Sequence, residues 1–249
     1  MKFRTLYSIT LGMLIAVLLS APVTIGHAQA PETVAIKFKL ALLPMNESAF
    51  YQIRNNSGDA GDTSAPISYY DAPSIGYRSG EQSVEFKIQH GDTEKEMSYN
   101  GPPTLSFYKP GESSRLVGKV SIDPSWKQVL ILAVSDAEGR GDFKMQAMDA
   151  SQLKLSPSDI YVYNLTKKPM YTAIGEIKHA IQPRQLQYFD CDLSSSPQQQ
   201  LIIVSATDDS IRREYAANRS FARQCSHLMI LHQAGDPGAP VLVAHLRDL

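Results

Sequence analysis

The sequence is poor in the features that usually announce a chemistry. Among its 249 residues there are two cysteines and one tryptophan, and 24 Lys and Arg face 25 Asp and Glu for a formal net charge of −1. Balanced charge gives no reason to expect a nucleic-acid or anionic-membrane partner. With hydrophobic residues at 43% and charged residues at 20%, disorder, collagen and coiled coil are excluded as well. Nucleophile motifs are missing: there is no G-x-S-x-G elbow, no S-x-x-K with its companion motifs, and no Cys placed beside a plausible His. P-loop and dinucleotide fingerprints are missing too. Past the first thirty residues, no apolar run reaches the length of a membrane span.

What is present begins at the N-terminus. Lys2 and Arg4 precede an uncharged, mostly apolar run from Leu6 to Val23, and small residues follow in Gly26-His27-Ala28-Gln29-Ala30. Positive, apolar, small is the order of a secretory signal peptide, here residues 1–28. Pro31 disfavours a cut after Ala30, so cleavage is expected after Ala28. The mature chain then carries 22 basic and 25 acidic residues, and is expected to be periplasmic, envelope-associated or secreted. Both cysteines, Cys191 and Cys225, lie in the exported part. An oxidising compartment and an even count predict a disulfide between them.

The mature sequence alternates at period two and nowhere sustains a helical period. Val34, Ile36, Phe38 and Leu40 share one face, as do Val84, Phe86 and Ile88. Further strands are predicted over Thr104–Tyr108, Leu116–Ile122, Val129–Val134, Phe143–Met148, Ile160–Tyr163, Gln185–Phe189 and Leu201–Ser205, separated by Pro- and Gly-rich turns. One brief helix is expected near Ala150 to Leu155, stopped by Pro157. Short strands at this spacing predict sandwiches rather than a parallel sheet with crossover helices.

The chain also resembles itself. Lys127–Asp149 and Ser226–Asp248, ninety-nine residues apart, match without a gap at Ile131 and Ile230, Leu132 and Leu231, Gly139 and Gly238, and Asp149 and Asp248. Each reads as an apolar strand, a Gly turn, a second strand and a closing Asp. Tyr51–Ser57 and Tyr161–Thr166 form a weaker pair. The expectation is two tandem sandwiches, residues 31–151 and 155–249. With its signal peptide, its Tyr161–Thr166 strand ending in Asn-x-Thr and its two Asp-terminated hairpins, the chain resembles uncharacterised secreted bacterial proteins built from tandem immunoglobulin-like β-sandwiches. That resemblance implies a fold and a compartment, and brings no catalytic or binding residue with it.

Candidate sites are few. Asp59 and Asp62 in Gly58–Asp62 offer oxygen to calcium without the ligand density of a known loop. His227, His232 and His245 flank the last hairpin, where His232 and His245 are placed to approach each other, but no H-x-H or H-x-x-x-H spacing supports a metal. Tyr69, Tyr70 and Tyr77 cluster with Asp71, Ser74 and Arg78, a composition on which sugar rings stack or which plugs the end of a sandwich. Trp126 reads as a core residue where a strand begins. Asn46, Asn55, Asn164 and Asn218 stand in N-x-S/T sequences, incidental in a bacterial protein. The sequence thus predicts a non-catalytic, cofactor-free exported protein with a structural or interaction role, partnered by other envelope or extracellular proteins. A carbohydrate-binding module centred on the tyrosines, or a hydrolase with unrecognised carboxylates, is the competing reading.

Overall fold

The computed structural model describes residues 33–43, 74–88, 95–135, 142–153, 156–207, 210–233 and 239–247. The signal-peptide reading, Tyr51–Ser57, Gly58–Asp62, Tyr69 and Tyr70 lie outside them.

The described chain is all-β, sixteen strands in four sheets. Its first half contributes β1 (Val34–Leu43), β2 (Ser74–Ser79), β3 (Gln82–Lys87), β4 (Met97–Gly101), β5 (Thr104–Lys109), β6 (Glu112–Ser121), β7 (Gln128–Ser135) and β8 (Phe143–Asp149). The second contributes β9 (Ile160–Asn164), β10 (Met170–Ile174), β11 (Ile177–Ile181), β12 (Leu186–Phe189), β13 (Gln198–Thr207), β14 (Ser210–Ser220), β15 (His227–Gln233) and β16 (Val241–Arg247). In the first half the sheet β4-β1-β7-β8 packs on β3-β2-β5-β6; in the second, β12-β9-β15-β16 packs on β11-β10-β13-β14. Strand for strand, the second half reproduces the order of the first. Each half also begins with a strand parallel to its seventh, β1 with β7 and β9 with β15. Parallel neighbours need a long crossover, and here the whole opposing sheet serves as one.

Each sandwich has its own core. Phe38, Tyr77 and Phe107 meet edge to face in the first, with centroids 5.2 Å (Phe38–Tyr77) and 6.1 Å (Tyr77–Phe107) apart. Ile160, Met170, Phe189, Ile203, Phe221 and Leu231 fill the second. A third apolar layer joins the two: Ala41, Leu43, Leu130, Leu132, Val134 and Met148 from the first half meet Tyr161, Tyr163, Leu228, Ile230, Ala244 and Leu246 from the second. Thr33–Leu249 is accordingly one compact unit. The central strands are covered on both faces, and their sequences show it. Alternation in β1 gives way to an unbroken buried run from Leu40 to Leu43, and β7 and β15 are buried almost throughout.

The structure alters three expectations. The brief helix expected near Ala150 to Leu155 takes the form, among the described residues, of a single 3-10 turn, Ala150–Gln152, capped by Asp149. By its pairing, the counterpart of β9 is β1, since both lie parallel to the seventh strand of their half; Tyr161–Thr166 therefore has no need of Tyr51–Ser57 as a partner. The gapless hairpin match aligns the right strands one residue out of register. Ile131 faces the first sandwich core, whereas Ile230 faces the shared layer; Leu132 and Leu231 are exchanged in the same sense. Because side chains alternate, only an even offset keeps the faces aligned.

That correction relocates His232. Its neighbours on the same face of β15 are Leu228 and Ile230, so it occupies a shared-layer position that Leu132 or Val134 holds in the first half. It is 1% exposed, and neither ring nitrogen has a hydrogen-bond partner among the described residues. Burial pushes its pKa down to about 4. At pH 7 the ring is neutral in both folded and unfolded chains. Below the ordinary value of 6.5, the unfolded chain takes up a proton that the folded one refuses, so stability is lost as pH falls from about 6.5 towards 4. The loss attributable to this group approaches about 3 kcal/mol. Urea denaturation at pH 7, 6, 5 and 4 should show His232→Leu gaining on the wild type as pH falls. Parallel pH profiles for the two proteins would remove His232 as the cause.

Candidate functional site

The concave surface with the richest chemistry lies where the two sandwiches meet, in a cleft of about 500 Å³. Its floor is the run Met145–Asp149 of β8, the edge strand of its sheet. Val120 and Ser121, at the end of β6, and Trp126, in the turn that follows, form one wall; Tyr163, Arg184 and Leu186 of the second sandwich form the other. Gln152 closes one end.

Local structure fixes each of these groups. Trp126 follows a turn in which Asp123 accepts from the backbone N–H and hydroxyl of Ser125, and the Trp126 N–H donates to the Asp123 carbonyl at 3.0 Å. The indole is half-buried, resting against the margin of the first core. On the opposite face of β8, Gln146 Nε2 donates to Tyr163 Oη at 2.9 Å, the hydrogen bond that ties the two sandwiches across the cleft. Burial pushes the Tyr163 phenol above its usual pKa, against smaller opposing effects of Gln146 and the Arg184 charge. Tyr163 therefore stays protonated and holds a donor at the cleft surface. Asp149 is positioned by Ser151, whose N–H and Oγ both donate to Oδ1, at 3.0 and 2.6 Å.

Arg184 is held by Asn164. The Asn164 side chain is fully buried and fully used: Nδ2 donates to the carbonyls of Lys168 and Ile181, while Oδ1 accepts from the Thr166 N–H and Oγ1. The backbone carbonyl of Asn164 accepts from the Arg184 N–H at 2.7 Å, fixing the tight turn between β11 and β12. Arg184 there takes φ 62°, a left-handed conformation that costs a side-chain-bearing residue roughly 1–2 kcal/mol. The Asn-x-Thr sequence is thus a structural device.

The residues singled out in the sequence fare differently. Tyr77 is 2% exposed in the first core, its hydroxyl donating to the Ser98 carbonyl at 2.9 Å, which takes it out of any exposed platform with Tyr69 and Tyr70. His232 and His245 do not meet, because they stand on opposite faces of their hairpin; His245 Nε2 instead lies 2.9 Å from His227 Nδ1, with Phe221 against both rings. Among the described residues no group of three or more His, Cys, Asp or Glu is placed to hold a metal. Trp126, expected in a core, belongs partly to a core and partly to the cleft. Nothing in the sequence marked Gln146, Asp149, Tyr163 and Arg184 as site residues (Asp149 reads only as the close of a hairpin and Tyr163 only as part of a strand), since they converge only through packing of the two halves. Comparison with known proteins finds no family that matches this chain and no curated protein that matches it.

The predicted disulfide is absent: Cys191 and Cys225 are both thiols. Cys191 follows β12 and Cys225 precedes β15 at the same end of one sheet, but β9 runs between those strands. Two strand spacings are about 9.6 Å, beyond the roughly 7 Å that a bridge tolerates between Cα atoms. Cys191 turns towards the second core, with Sγ 4.0 Å from the Ile174 carbonyl, and burial pushes its thiol up to about 11. Unreduced and reduced protein should therefore have the same mass. At pH 8, Cys191 in the native protein should alkylate about a hundredfold more slowly than an ordinary thiol, and at the ordinary rate in denaturant. A mass two hydrogens lighter before reduction would restore the bridge.

Proposed function

We propose that this is a non-catalytic exported protein of the cell envelope or extracellular space, built from tandem immunoglobulin-like repeats, which binds other proteins at the cleft between its sandwiches. The carrying observation is the composition of that cleft, to which both halves contribute. It sets an indole and two thioethers beside two primary amides, a phenol donor and one charge of each sign. Large aromatic groups flanked by polar anchors are what protein interfaces concentrate at their centres. A hydrolytic site needs an acid and a base that converge, and Asp149 is the one carboxylate among the described lining residues, which include no His or Cys. The signal-peptide pattern supports export, and the repeated strand order supports the tandem-repeat reading.

Affinity capture from the native envelope tests this reading, with the mature wild-type protein as bait beside Trp126→Ala and Arg184→Ala variants of unchanged unfolding midpoint. A specific protein should be retained by the wild type, and its affinity should drop about tenfold or more in each variant. Retention indifferent to both substitutions would move the function away from the cleft. Turnover of a substrate that survives exhaustive purification would overturn the non-catalytic reading.

A further inference from the structure

The sheet β11-β10-β13-β14 turns one face to the second core and the other outward. That outer face is apolar where contact with water favours polar residues. Along β13, Leu201, Ile203 and Ser205 point inward and are buried, while Ile202, Val204 and Ala206 point outward and are half-buried. A covering layer would bury both sets, as along β7 and β15, so this face is open to solvent. Register extends the patch to the neighbouring strands. Tyr171 of β10, beside Val204, is 50% exposed, and Ile211 of β14, beside Ala206, is 81% exposed.

Single apolar residues on a surface need no explanation, whereas a contiguous apolar face does. The first half provides the comparison. In its corresponding sheet, β3-β2-β5-β6, the outward positions of β5 hold Thr104, Ser106 and Tyr108, and those of β3 hold Ser83, Glu85 and Lys87. Two sheets of the same strand order thus show different faces to water, so the fold alone does not require the apolar one.

The geometry points to a second copy of this chain as the occupant, the two β11-β10-β13-β14 sheets packing face to face about a two-fold axis along the strands, between β10 and β13. The molecule already covers apolar outer faces in this way, sheet on sheet, at the shared layer. Register makes the face self-complementary about that axis. The axis reverses the strand order, so β10 meets β13 and β11 meets β14 of the other copy. One row across the sheet reads Ala180, Tyr171, Val204, Arg213, and the next reads Lys178, Ala173, Ile202, Ala216. Reversal sets Tyr171 against Val204 and Ile202 against Ala173, a large side chain over a small one. It also sets the cations Arg213 and Lys178 against Ala180 and Ala216 rather than against each other. Aligned sheets cross at about 30°, which lets both cations reach water at the margins. Four strands over about seven residues measure roughly 19 by 24 Å, so two copies bury on the order of 1,000 Å². That is the low end for a specific interface, and it sets a weak dimer. None of these residues lines the cleft, so the two surfaces are separable by mutation.

Sedimentation equilibrium of the mature protein, from micromolar to near-millimolar loading, tests the pairing. A monomer–dimer equilibrium should appear, and Val204→Glu should weaken it about tenfold or more. Ala216 is exposed, so its replacement spares the fold. Ala216→Glu, opposite Lys178, should tighten the dimer several-fold at low salt and lose that gain at high salt, while Ala216→Lys should loosen it. Ser106→Glu, on the corresponding face of the first half, should leave it unchanged. Monomer at every loading, or an equilibrium indifferent to Val204→Glu and to both changes at Ala216, would overturn self-pairing through this face. Monomeric protein whose envelope capture is lost in Val204→Glu but kept in Trp126→Ala would overturn it too, and would assign the face to a different protein.

Discussion

The apolar layer between the two central sheets is the contact on which the rest of this molecule depends. A β-sandwich ordinarily buries one face of each sheet and leaves the other to water. Here β7, β9, β15 and the Leu40–Leu43 end of β1 are buried on both faces. Each Leu or Ile removed from water at that layer contributes about 1.5–3 kcal/mol, and the layer holds residues from both halves in comparable number. Neither sandwich would keep such a face exposed without a liability to aggregate. Docking them converts that liability into a rigid junction.

The cleft follows from the junction. Sheets that meet across their central strands diverge at their edges, and at one margin β8, β6 and β12 leave a gap between them. Only there can Trp126, anchored in a turn of the first half, face Arg184, anchored through Asn164 in a turn of the second. The Gln146–Tyr163 hydrogen bond closes the floor of the gap and sets its width. Any movement of one sandwich on the other would break that bond and spread the lining residues apart. The site is thus a product of inter-sandwich packing, and its rigidity is borrowed from the shared layer.

Much of the fold was legible in the sequence. Alternation identified β1, β3, β5 and much of β6, and the apolar hairpins identified β7–β8 and β15–β16. The strands that escaped are those whose patterns are blurred. β10 turns the polar Thr172 inward, β14 is polar along most of an exposed edge, and β2 hides its alternation behind Gly76 and the neighbouring Pro73. A signal for the shared layer also exists, in the runs Leu40–Leu43, Val129–Val134 and Leu228–Leu231, which lack the polar alternates of a half-exposed strand. Similar runs align equally well one residue out of step, which is why identity at Ile131 and Ile230 misassigned their faces. The cleft was not legible. Its residues are scattered from Val120 to Leu186, and nothing in their local patterns reports that two edge strands from different sandwiches come together. The cysteines misled for the same reason: proximity to strand ends says nothing of how many strands lie between.

The shared layer makes a direct demand on how the protein unfolds. Trp126 reports on the first sandwich by fluorescence, and Cys191, in the second core, reports by becoming reactive to alkylation. Followed together through a denaturant titration of the mature protein, the two probes should give one midpoint and one slope, because neither half can lose its inner face alone. Two separated midpoints, with Cys191 exposed while Trp126 remains native or the reverse, would contradict the account.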